Sequence, residues 1–150
     1  MQKILASVIL GNEGTQVMFD FTVIECDQDL LQALVNCAAS ALLSSRFEVK
    51  CIPTAICILI KDCGDSFQAD PNLESIATMR QNYAHKLFAV VDSQKEEFIF
   101  SSLVPLSWAS DPSGDASNAN ALSLEGLEQL MGLALSCGKK LHDFIIDQEE

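Results

Sequence analysis

Two neighbouring stretches decide the fold: Cys26-Asp-Gln-Asp-Leu-Leu-Gln-Ala-Leu-Val-Asn-Cys-Ala-Ala-Ser-Ala-Leu-Leu43 and Cys51-Ile-Pro-Thr-Ala-Ile-Cys-Ile-Leu-Ile60. In the first, an acidic turn supplies Asp27 or Asp29 to accept the free backbone N–H groups that open a helix. Leu30, Leu31, Leu34, Val35, Ala38, Ala41 and Leu42 then recur at helical spacing, and Ala33, Ala38, Ala39 and Ala41 let that helix approach a sheet closely. The helix should stop near Ser44-Ser45-Arg46. The second stretch is almost continuously apolar and β-branched, as a strand buried on both faces must be. Pro53 lacks an N–H, so its ladder is expected to start after that position.

Working outward, Ile4, Leu5, Val8 and Ile9 form one short helical face that Gly11 and Gly14 end. Val17, Phe19, Phe21 and Val23 alternate with Gln16, Met18, Asp20 and Thr22, which predicts a half-buried strand over 15–25. Downstream, Lys61–Asp65 reads as a turn and Ser66–Ala69 as a short strand. Lys86–Asp92 and Glu97–Phe100 flank the polar Ser93-Gln-Lys-Glu96 and read as a hairpin. Residues 105–121, rich in Ser, Asp, Asn, Gly and Pro, read as a flexible loop with Trp108 as a local anchor. A last helix starts at about Ser123, with Leu124, Leu127, Leu130, Met131, Leu135, Leu141 and Ile145 as its apolar side. This order makes one α+β (or α/β two-layer) domain over 1–150, with no internal repeat.

The 150 residues carry a net charge of −12, and the nine basic residues are scattered. That weighs against free-standing nucleic-acid binding, since phosphate contacts need clustered Lys and Arg. Only Lys139 and Lys140 adjoin, where a helix C-terminus explains them. A hydrophobic content of 49% and a mean hydropathy of +0.22 argue for surface covered by a partner or by both faces of a sheet. An acidic surface docked on a basic neighbour follows. No apolar run spans a bilayer and no signal peptide is expected, so the expectation is a soluble intracellular protein.

Chemistry-bearing patterns are sparse. The six cysteines (Cys26, Cys37, Cys51, Cys57, Cys63 and Cys137) form no CxxC pair and are read as reduced packing residues. His85 precedes a strand and His142 lies on the last helix, neither beside a nucleophile motif. Asp20, Glu25, Asp27, Asp29, Asp62, Asp65, Asp70 and Glu74 offer carboxylate pairs, but 21 acidic residues produce such pairs by chance. Asp70 with Glu74 is the best candidate for metal or acid–base work, against the plainer reading of an acidic helix cap. No cofactor or metal is expected.

The helix Leu30–Leu43, the apolar strand Ile52–Ile60, the step Gln68-Ala-Asp-Pro-Asn-Leu-Glu74, the hairpin and the final helix resemble, in that order, the C-terminal part of ribonuclease PH-like domains. The likeness is greatest to the catalytically silent ring subunits of the eukaryotic RNA exosome. It implies a ribonuclease PH-like fold of the ribosomal protein S5 domain 2-like class, apparently without its N-terminal half. Active members carry a Gly-Thr-Arg step whose arginine holds phosphate in a charge-assisted fork. This chain has Asp29-Leu30-Leu31 there, so Leu31 stands in place of the arginine. Active members also carry two aspartates six positions apart. Asp70 matches the first, as a vestige, and Ile76 replaces the second.

The resemblance therefore implies an inactive subunit that works in RNA 3′-end processing, including that of rRNA, and in decay. It would complete the ring and guide RNA to nuclease subunits elsewhere. Other ring subunits and RNA-binding cap subunits would be its partners, RNA would bind only within the complex, and the setting would be nuclear, nucleolar and cytoplasmic. Two alternatives stand beside it: a phosphorolytic 3′-exoribonuclease that pairs Asp70 with a partner's arginine, and an unrelated α+β dimerisation module that scaffolds motors or trafficking complexes. RNA-contacting residues are not assignable from the sequence.

Overall fold

A computed structural model describes residues 1–11, 16–25, 29–45, 47–61, 66–72, 83–105 and 122–148. Helices α1 (Gln2–Val8) and α2 (Leu30–Ser44) precede strands β1 (Pro53–Lys61), β2 (Phe67–Ala69), β3 (Tyr83–Asp92) and β4 (Glu97–Pro105), and helix α3 (Leu124–Asp147) closes the chain. The strands form one antiparallel sheet in the order β2-β1-β3-β4. The expected hairpin is β3–β4. Its turn is held by Asp92, whose Oδ1 accepts from the N–H groups of Gln94 (3.1 Å) and Lys95 (3.3 Å).

Side-chain alternation along β1 explains why it is apolar throughout. Ile56, Ile58 and Ile60 join Leu87, Ala89 and Val91 of β3 under Leu130 and Ala134 of α3. Ala55 joins Phe88 and Val90 under Ile4 of α1 and Val35 of α2. Successive residues of a strand point to opposite faces, so the sheet is the middle of three layers. The α+β class holds, whereas the two-layer arrangement does not: helices cover both faces. Pro53 itself pairs with Asp92, one residue earlier than expected. α1 is moored by Leu10 N–H to the Glu48 carbonyl (3.0 Å) and Lys50 N–H to the Val8 carbonyl (2.7 Å).

Several expectations are corrected. Residues 16–25 belong to no sheet strand. Val17, Phe19 and Phe21 are half-buried and Met18, Asp20 and Thr22 exposed, as the alternation requires, but they have no ladder partner among the described residues, and Val23 is exposed. Leu30 and Leu31 are exposed on α2, whose buried face is Gln32, Val35, Ala38, Ala39 and Leu42. On α3 the leucines Leu124 and Leu127 face solvent. The buried stripe is Gly126, Leu130, Ala134, Gly138, His142 and Ile145. Small residues win there because the helix lies so close to the sheet that a Cβ on Gly138 would stand 2.3 Å from Val91 Cγ2.

Lys139 and Lys140 sit inside α3, not in its last turn, which holds no basic residue. His85 lies within β3 and not before it, and β4 continues through Pro105, where the loop was expected to begin. Cys37 is exposed, Cys51 and Cys137 are half-buried, and Cys57 alone of these four is fully buried. Residues 106–121 with Trp108, and also Cys26, Asp27, Arg46, Asp62, Cys63, Asp65, Glu74 and Ile76, lie outside the described residues.

Candidate functional site

The N-terminus of α2 meets the ends of β2 and β3, and the residues singled out for phosphorolysis converge there. Asp29 caps α2: its Oδ1 accepts from Gln32 N–H at 3.1 Å, and its Oδ2 forms an ion pair with Lys86 of β3. Gln32, one position past Leu31, turns inward and donates from Nε2 to Asp70 Oδ1 at 2.8 Å. Asp70 follows β2 with φ 52°, a left-handed conformation that aspartate tolerates better than most residues. Its N–H donates to the Cys57 carbonyl at 2.9 Å, which locks the carboxylate against α2.

The structure thus joins Asp29, Gln32, Asp70 and Lys86. Leu31 is at the same helix end but exposed, with no polar atom to offer a phosphate. Lys86, a cation beside the helix terminus, is already engaged by Asp29. Lys86 and Gln32 escaped the sequence reading. The available signals were a lysine opening an otherwise apolar strand and a glutamine inside an apolar helical face.

Next along α2, Asn36 grips β1. Its Nδ2 donates to the Ala55 carbonyl (3.0 Å), and its Oδ1 accepts from Ala55 N–H (2.7 Å). The carboxamide takes the place of a neighbouring strand where the three-residue β2 no longer reaches, since β2 pairs only with Ile58–Ile60. Beside these residues lies a cavity of about 400 Å³, lined by Gln32, Asn36, Asp70, Lys140 and Phe144 among others. One carboxylate, two carboxamides and one lysine can bind a polar group. They provide no activated nucleophile and no fork for phosphate. Among the described residues no three His, Cys, Asp or Glu side chains are grouped to hold a metal. No helix among them is long and apolar enough to cross a membrane.

Cys57 lies under this cluster. Burial pushes its thiol up from 9.0 to about 12, with Lys86 opposing and the Asp29 and Asp70 charges adding to the rise. Burial, aided by Asp92, raises Cys51 to about 11. Neither is a thiolate nucleophile near neutral pH. The linkage has a definite sign. Between about pH 9 and 12 the unfolded chain has lost the Cys57 proton while the folded chain keeps it, so stability falls as pH rises through that window. Cys57→Ala should flatten this alkaline decline, seen as a shallower slope of urea midpoint against pH than in the parent chain.

No protein-family model matches the sequence, and none of the curated proteins matches it. Among solved structures the fold matches the crystal structure of rice (Oryza sativa) Rrp46, with a TM-score of 0.65 and 17% sequence identity. The match covers 96% of this chain and 60% of that one, so the chain spans less than two thirds of the rice structure. The likeness is one of fold: the four-stranded antiparallel sheet and its helices share the arrangement of the rice structure.

Proposed function

We propose that the chain is a non-catalytic structural subunit of an RNA exosome ring, taking part in RNA 3′-end processing and decay by scaffolding and by guiding RNA to nuclease subunits. The observation that carries this reading is the α2 N-terminus, within a fold shared with rice Rrp46 over 96% of the chain. Where an active member would present an arginine to phosphate, this chain presents an exposed Leu31 and a carboxylate, Asp29, that already holds Lys86. Asp70 is tied to Gln32 and reads as a structural remnant. A net charge of −12 favours docking on basic neighbours over direct capture of RNA. Partners in this reading are other ribonuclease PH-like ring subunits and RNA-binding cap subunits, in the nucleus, nucleolus and cytoplasm.

Affinity purification of the tagged chain from its native cells at gentle salt tests the assignment. Stoichiometric recovery of other ribonuclease PH-like proteins and cap proteins is the expected outcome. Recovery of the chain alone, or with motor and trafficking proteins, overturns it in favour of a dimerisation module. The purified chain should release no nucleoside diphosphates from RNA in the presence of inorganic phosphate. Release that stops when phosphate is withdrawn would restore the enzyme reading.

A further inference from the structure

We propose that residues 16–25 form a docking strand that a separate polypeptide completes by adding a basic, amphipathic β-strand along its edge. This inference concerns a surface apart from the α2 N-terminus and does not depend on the exosome reading. Three observations converge on it. First, the segment has the two-residue period of a strand: Val17, Phe19 and Phe21 turn inward, and the Phe19 and Phe21 rings stack with centroids 6.1 Å apart and planes 13° from parallel. Yet no backbone hydrogen bond joins 16–25 to another described residue. A segment with the side-chain period of a strand, an apolar side and backbone groups that no described residue meets is the template on which strand addition operates.

Second, large apolar side chains are exposed along the segment, Val23 among them where the alternation breaks. Met18 is 78% exposed, Val23 54% and Ile24 94%, and Leu30 and Leu31 of α2 are exposed as well. Two grooves lie along the segment. One of about 640 Å³ is lined by Val17, Met18 and Phe19 with Leu5 and Ile9 of the α1 region, and one of about 320 Å³ by Phe21 and Val23 with Leu34 and Cys37 of α2. A strand laid beside 16–25 would have somewhere to seat alternate side chains.

Third, charge specifies the occupant. From Ile4 to Ser45 the sequence contains no Lys or Arg, but it carries Glu13, Asp20, Glu25, Asp27 and Asp29. Asp20 and Glu25 are exposed on the segment itself. Like charges juxtaposed across an interface disfavour wrong partners, so the complementary strand alternates Lys or Arg with β-branched residues.

The test uses the whole chain and a fluorescein-labelled decapeptide of alternating lysine and valine, with binding read by anisotropy. Two control peptides are an analogue N-methylated at alternate amides, which keeps charge and loses the ladder, and a glutamate–valine version. The expected result is saturable binding, at least tenfold weaker for both controls, with hydrogen-exchange protection of the amides of 17–23 on binding. Adjacent N–H groups of an extended chain point to opposite edges, so Thr22→Pro and Val23→Pro each remove one, and at least one variant should weaken binding tenfold.

Equal binding of the N-methylated peptide would reduce the effect to bulk electrostatics and overturn the proposal. Protection confined to the β4 edge, or binding unchanged in both proline variants, would do the same. Concentration-dependent protection of 17–23 without peptide would assign the strand to a second copy of this chain and overturn the basic partner. Should either proline variant lose its thermal transition, the N-methylated peptide and the exchange map on the parent chain still decide.

Discussion

Gly138→Ala will destabilise the chain by about 1–3 kcal/mol, the usual cost of forcing a methyl group into a packed interior. The added Cβ would lie 2.3 Å from Val91 Cγ2 and 3.1 Å from Ile56 Cδ1. Val91 Cγ2 is one bond from a Cβ whose backbone the ladder between β3 and β1 holds, so this contact is not easily relieved, while the Ile56 terminal methyl can turn aside more readily. The loss should exceed the gain of about 0.8–1 kcal/mol that alanine brings to a helix interior. Gly132, on the same helix, is the control: nothing lies within 4 Å of its would-be Cβ. Gly132→Ala should therefore stabilise by nearly the full propensity difference. Urea midpoints that move in opposite directions at constant slope are the expected pair. Two shifts of the same sign would mean that α3 does not sit at this distance from the sheet.

Asn36→Leu carries the other large effect. It leaves the N–H and C=O of Ala55 without their partner at the margin of the core, and an unmet buried polar group costs about 1–3 kcal/mol. Water reaching the half-buried position would bring the sum toward the lower end of that range. Asn36→Asp separates the two bonds. A carboxylate still accepts from Ala55 N–H but sets an oxygen against the Ala55 carbonyl, so it should fall between the parent chain and the leucine variant near neutral pH. Lowering the pH far enough to protonate the aspartate should recover part of its deficit, because a neutral carboxyl can donate. Thermal melts of the three proteins at pH 7 and pH 4 measure this, with the parent chain's own pH dependence subtracted. If Asn36→Leu melts with the parent, β1 does not rely on α2 to close its edge.

Both cases mark where sequence reading stops. Asn36 was legible as one polar residue in an amphipathic helix, and its task depends on β2 being only three residues long. Gly138 was hidden behind the leucines of α3. A periodicity count rewards large apolar residues, while the distance between helix and sheet selects small ones. That distance is fixed by Val91 and Ile56, 47 and 82 residues away in sequence.

The candidate site divides in the same way. Asp70 and the helix end bearing Leu31 were identifiable from the chain alone, as was the leucine that stands where the resemblance calls for an arginine. The engagement of Lys86 by Asp29 and of Gln32 by Asp70 brings together residues 57 and 38 positions apart. No local pattern encodes such pairings.

What the sequence by itself determined is local. Asp29 and Ser123 begin their helices by accepting backbone N–H groups three residues on, at 3.1 Å and 3.0 Å. The doubly apolar run of β1 announces a central strand, and the polar tetrad 93–96 announces a hairpin. Capping, side-chain period and turn chemistry act over a few residues and can be read from those residues. Tertiary structure alone decided which face of α3 is buried, that helices cover both sides of the sheet, and that the alternating segment 16–25 stands outside it. A strand becomes part of a sheet only when another chain segment meets its backbone groups, and the period of its side chains carries no information about where that partner is.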